Sequence, residues 1–197
     1  MKHPFLVQNV FRQVSILLSG LPVTMTFHNL KHTYDVFLAA TEMAVAGGNN
    51  SEDIQILQLA TLFHDTGYLF EYTGHEEKSK LIAANFLLRE DCPEALIDGV
   101  VDAIDATKVP QQPQNDIQRI ICDADLFHLA HPDYPNFANC LRNEWAVHLK
   151  KEFTDDEWRI NNLKFMQQHH YFTEYGIHTL NTLKLQNLPN LFVHQND

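Results

Sequence analysis

Cysteine is scarce, positive charge is in deficit, and strict apolar–polar alternation is missing; each shortage excludes something. The 197-residue chain has three cysteines, Cys92, Cys122 and Cys140, scattered and without a CxxC pair. That odd set offers no disulfide framework and points to a reduced, cytoplasmic protein in which each thiol fills a small core space. Lys and Arg number 14 against 25 Asp and Glu, for a formal charge of −11. A field of that sign repels nucleic acid polymers. It also opposes a small phosphorylated ligand, unless a cation or a few placed Lys and Arg residues offset it. No long apolar run is present. The stretch after Lys2 is broken by Arg12 and Gln13, so it is neither a signal segment nor a membrane span. Instead Leu6, Val7, Val10, Phe11, Val14, Leu17 and Leu18 recur at the spacing of an amphipathic helix.

What remains is helix after helix, with ordinary globular composition: 45% hydrophobic and 20% charged. Pro4 opens the first predicted helix, and Gly20 with Pro22 close it. A second runs from His28 to Ala46 before Gly47-Gly48. A third starts after Asn50 or Ser51, with Glu52 and Asp53 in its first turn, and ends near Asp65. Further helices are predicted over 75–90, 93–107, 114–130, 136–150, 155–171 and 174–186, with Thr154 as a cap ahead of Asp155-Asp156-Glu157. Prolines mark the breaks at 91–93, 109–113 and 131–135. No segment alternates with period two, and no repeat or long linker divides the chain. The expectation is an all-α single domain of eight or nine helices over residues 1–187, with a motif core at 27–130, C-terminal helices at 136–187 and a flexible tail at 188–197.

The most informative residues are His64 and Asp65, adjacent in LFHDTGY behind the apolar run Ile54–Phe63. Burying an imidazole and a carboxylate together is costly unless something neutralises them, and a divalent cation is the simplest partner. Nitrogen and hard oxygen donors together suit Mn, Fe, Co, Ni or Zn. At a helix C-terminus the backbone favours that cation. Adjacent helical residues diverge by about 100°, so the pair converges only on something beyond the helix end, and further ligands must come from elsewhere. His32 is one candidate, four residues after His28 and on the same predicted face. Asp125 is the other, on a stripe with Ile121 and Leu129. Asp123, four residues after Arg119, reads as a surface ion pair.

His32, the His64-Asp65 pair and Asp125, in that order on an all-helical chain, resemble the H…HD…D pattern of the HD-domain superfamily of metal-dependent phosphohydrolases. The resemblance covers about residues 27–175. The runs HNLKHT, HDTGYL, GHEEKS, IDATK and CDADL, followed by LRNEW and FMQQHHYFT, resemble a bacterial stand-alone branch of it. It implies one divalent metal ion (Mn, Fe, Co, Ni, Zn or Mg) held by His32, His64, Asp65 and Asp125, with about two positions open. It implies hydrolysis of a phosphomonoester or phosphodiester by metal-activated water, on a small substrate such as a nucleotide, with no nucleic acid polymer and no membrane as partner.

Around those ligands, Asp65 is the expected proton acceptor, and His75 and Lys108 the groups that stabilise phosphate or leaving-group charge. Lys78, Lys80 and Arg142 are weaker candidates for phosphate contact. The plain alternatives are an exposed helix-opening histidine for His75 and a solvated lysine for Lys108. His28 either orients His32, touches substrate or fills the core. Asp105 stands where several related subfamilies have a histidine for a second metal, which disfavours a binuclear site. The His169–Phe172 cluster, Trp145 and Trp158 read as packing residues. Two competing functions remain: a di-iron HD-domain oxygenase, and a non-catalytic nucleotide-binding sensor.

Overall fold

The organising element is a helix whose last turns are buried on every side. In the computed structural model, which describes residues 5–188, the third helix (α3, Ser51–Phe63) has Leu57, Leu59, Ala60, Leu62 and Phe63 without exposed surface. Its polar stripe, Ser51, Gln55 and Gln58, stops before the last turns, so the helix must be surrounded there. It packs against α1 (Leu6–Leu18), α2 (Leu30–Ala46), α4 (His75–Arg89), α5 (Glu94–Asp105) and α6 (Asp116–Asp125). Its C-terminal end therefore delivers the next residues, His64 and Asp65, into the interior. The α1 stripe predicted from sequence is the one that packs, with Leu6, Val10, Val14 and Leu18 buried. Pro4 and the tail from 189 onward lie outside the described residues.

Caps define the helix starts. The Asn50 side chain accepts from Glu52 N–H (2.9 Å) and Asp53 N–H (3.0 Å) at the head of α3. Thr154 and Glu157 cap each other at the head of α8 (Asp155–Gln168), each accepting from the other's backbone N–H. At α2 the cap falls on Asn29, which is extended and accepts from Lys31 and His32 N–H. His28 therefore precedes the helix, and the predicted start there is two residues early. His28 and His32 do not share a helical face.

Two further boundaries differ from expectation for backbone reasons. The helix predicted over 114–130 ends at Asp125; Leu126 leaves the helical region (φ −99°, ψ 15°), and Phe127–Ala130 form a 3₁₀ turn. Likewise α3 stops at Phe63, and Thr66–Leu69 form a 3₁₀ turn after Asp65. Gly67 permits that turn: a Cβ there would lie 1.8 Å from the His75 carbonyl oxygen, so only glycine lets the turn lie against the start of α4.

The last third of the chain forms a smaller core. Here α7 (Tyr134–His148) and α8 bury Tyr134, Ala138, Trp158 and Met166 with Leu129, and Trp145 packs edge-on to Trp158. A stretch from Gly176 in wider π-helical turns leads into α9 (Asn181–Asn187). The residues His169–Thr173 between α8 and that stretch are not helical, against the prediction of helix to 171. Among the described residues there are nine α-helices and no strand, in one compact domain. No helix among them is long and apolar enough to cross a membrane. Cys92 and Cys122 are buried as expected, whereas Cys140 is only half-buried; all three are free thiols.

Candidate metal centre

Three elements bring the predicted ligands together. His32 lies one turn before Val36 and two before Ala40 on α2, on the stripe that faces the core. His64 and Asp65 follow the last turn of α3, and Asp125 closes α6. Two helix C-termini, each with partial negative charge, thus meet at one point. There His32 Nε2 lies 3.5 Å from Asp65 Oδ2 and 3.3 Å from Asp125 Oδ1. His64 Nε2 lies 3.2 Å and 3.5 Å from the same two oxygens. His32, His64 and Asp125 each offer a ligand atom within 4.8 Å of the others.

The hydrogen bonding of these groups fits a cation. His64 Nδ1 lies 2.7 Å from the Thr61 carbonyl, which can only accept, so Nδ1 carries a hydrogen and Nε2 is the nitrogen turned to the cluster. His64 Nε2, His32 Nε2 and Asp65 Oδ2 are buried atoms with no hydrogen-bond partner among the described residues. Unsatisfied buried polar atoms are rare, and three of them facing one point are what a ligand set looks like. His32 Nδ1 is also unpartnered; its ring is held by the face of Phe27, 4.8 Å away between centroids.

Electrostatics agree. Burial alone would raise the Asp65 carboxyl, yet His64, with His75 and His28, holds it well below the usual carboxylate range. Asp125 is likewise pulled down against burial by His32 and His64. In return burial would lower His64, but Asp65 and Asp125 push it well above 6.5. The cluster favours a positive charge at its centre.

His75 joins this group. Its Nε2 is 3.4 Å from Asp65 Oδ1, and its ring stacks on Tyr68 (3.7 Å between centroids, 17° between planes). Lys108 does not: its ammonium is taken up by Asp105 (2.6 Å) and Glu77. Lys80 pairs with Glu77 and Asp105, Lys78 lies near Glu71 and Arg142 binds Asp155, so each of these predicted phosphate contacts has a carboxylate of its own. Asp105 is tied to Lys80 and Lys108 and makes no ion pair with the four converging side chains, which weighs against a second metal through it. Asp123 is not the surface ion pair predicted. It is fully buried, and its carboxylate accepts from Phe172 N–H (2.8 Å), Thr173 N–H (2.8 Å) and the Thr173 hydroxyl (2.7 Å). Arg119 pairs with Asp116 instead.

The structure adds residues that sequence reading missed. Glu144, on α7 and without exposed surface, receives Phe27 N–H (2.8 Å) and His28 N–H (3.1 Å) on one oxygen. Its other oxygen receives the Tyr72 hydroxyl (2.8 Å) and His28 Nδ1. Burial would lower His28, but Glu144 outweighs it and keeps the ring basic, while His28 holds Glu144 below its ordinary range. Tyr68 lies beside His28 (4.4 Å) as well as His75, and Tyr72 stacks on His148 (5.1 Å). His128 packs near His32 and is lowered to about 3, chiefly by burial, so it is neutral near pH 7. Nothing local in LRNEW, where Glu144 follows Arg142 and Asn143, marked it as the partner of His28, 116 positions away.

No curated protein and no solved structure matches the chain. The family model for the HD domain does, over residues 29–130, more than half of the chain and the span that carries all four converging side chains. The protein belongs to the HD-domain family, whose members form a superfamily of metal-dependent phosphohydrolases.

Proposed function

We propose that this protein is a metal-dependent hydrolase of a small phosphate ester, such as a nucleotide, with His32, His64, Asp65 and Asp125 as the cation's ligands. One observation carries the reading: two imidazoles and two carboxylates, from three helices, face one point with three buried ligand atoms unpartnered. A divalent cation bound there supplies Lewis-acid polarisation of a phosphoryl oxygen and acidifies water.

The chain's own residues do the rest. Asp65 Oδ2 lies among the ligand atoms while Oδ1 faces His75, so the carboxylate is placed to take the proton of the attacking water. His75 places an imidazole beside that oxygen and steadies phosphoryl charge. His28 donates Nδ1–H to Glu144, and its Nε2–H is the proton for the departing oxygen. A water oxygen thus bonds to phosphorus, the ester P–O bond breaks, and the alcohol leaves protonated. Lys108, already paired with Asp105 and Glu77, has no part in this.

The test is elemental analysis of purified protein, followed by phosphate release from nucleotides and simple esters with Mn, Mg, Co and Ni. Asp65→Ala is expected to lose both metal and turnover. Full occupancy and activity in that variant would sink the assignment.

A further inference from the structure

We infer that the Tyr68 hydroxyl is a substrate contact: it donates a hydrogen bond to a phosphoryl oxygen of the ester held at the metal centre. The inference rests on the hydrolase reading above and extends it to how an acidic protein grips a dianion.

The ring is held on several sides. The 3₁₀ turn Thr66–Leu69 begins directly after Asp65, and Gly67 lets it lie against the start of α4. His75 then stacks over Tyr68 at 3.7 Å, His28 lies at 4.4 Å, and Tyr72 at 5.1 Å. Both histidines belong to the proposed reaction, so the phenol sits between the group beside Asp65 and the group on Glu144. The two tyrosines differ in one respect. The Tyr72 hydroxyl is occupied by Glu144 at 2.8 Å, whereas that of Tyr68 makes no hydrogen bond among the described residues. Its charged surroundings are Asp65, Glu144 and Asp125; with burial as the larger cause, they keep the phenol protonated and therefore able to donate.

Phosphoryl oxygens need donors, and the usual cationic ones are committed. Lys80, Lys108 and Arg142 each bind a carboxylate, and Lys78 lies near Glu71. Tyr68 is thus a donor without an acceptor, next to a site that takes an acceptor-rich ligand.

The experiment compares the full-length wild type with Tyr68→Phe, which removes the hydroxyl and keeps the ring. Both are loaded with Mn, and binding of inorganic phosphate is measured by calorimetry. Metal content and melting temperature are expected to match. Phosphate affinity is expected to fall about 10- to 100-fold, as for loss of a hydrogen bond to a charged group. Phosphate binding within twofold of wild type would overturn the Tyr68 contact while leaving the hydrolase reading in place. A wild type that binds metal but no phosphate would overturn both.

Discussion

Replacing Glu144 with Gln exchanges one carboxylate oxygen for an NH₂ group and tests the link between the C-terminal helices and the site. The carboxylate accepts four hydrogen bonds, two on each oxygen. An amide has one acceptor oxygen. If that oxygen keeps the Phe27 and His28 N–H groups, the amide NH₂ meets His28 Nδ1–H and the Tyr72 hydroxyl. His28 must then lose its proton or stay charged without a counter-ion. Breaking a buried ion pair from one side costs about 3–5 kcal/mol. That is a large part of the roughly 5–15 kcal/mol that holds an ordinary domain folded. For a chain of this size it corresponds to a fall in melting temperature of about 6–20 °C.

The pH dependence has a definite sign. Glu144 is lowered by its partners, so its contribution is present above the ordinary 4.5 and disappears as pH falls through the depressed value. His28 is raised, so its contribution is complete below 6.5 and disappears as pH rises through the elevated value. The gap between wild type and variant is therefore widest between about pH 4.5 and 6.5 and narrows in alkali. Urea unfolding at pH 6 and pH 9.5, followed by Trp145 and Trp158 fluorescence, measures it. Metal content should not change, because Glu144 touches none of the four ligands, while turnover falls about 10²–10⁴-fold with the loss of a placed proton donor. A loss below about 1 kcal/mol at pH 6, or one undiminished at pH 9.5, would refute the reasoning.

Three further outcomes are expected. Because Asp65 and Asp125 push His64 upward and a ligand nitrogen must be neutral, cation binding should weaken as pH falls; metal occupancy measured from pH 8 down to pH 5 reads the effect, and affinity that rises with acid would count against His64 as a ligand. Gly67→Ala sets a Cβ against the His75 carbonyl and should cost about 1–3 kcal/mol, with phosphate affinity falling as Tyr68 and His75 move. Asp123→Ala leaves the Phe172 and Thr173 donors unmatched and should cost about 2–4 kcal/mol of unfolding free energy at unchanged metal content, whereas Asp125→Ala should lose the metal.

Local sequence was enough for most of the helices and for the burial of the two residues that follow α3, because both depend on short-range rules. Apolar spacing marked α1, Asn50 and Thr154 capped their helices, and His64-Asp65 at the end of a mostly apolar run had to enter the interior together. The partners of those residues were another matter. Arg119 chose Asp116, three residues before it, over the equally legible Asp123, four after; Lys108 chose Glu77 and Asp105; and Glu144 reached across the fold to His28. Periodicity states which way a side chain points along its own helix. Which buried charge meets which depends on how helices far apart in the chain come to lie, and only the packed structure contains that.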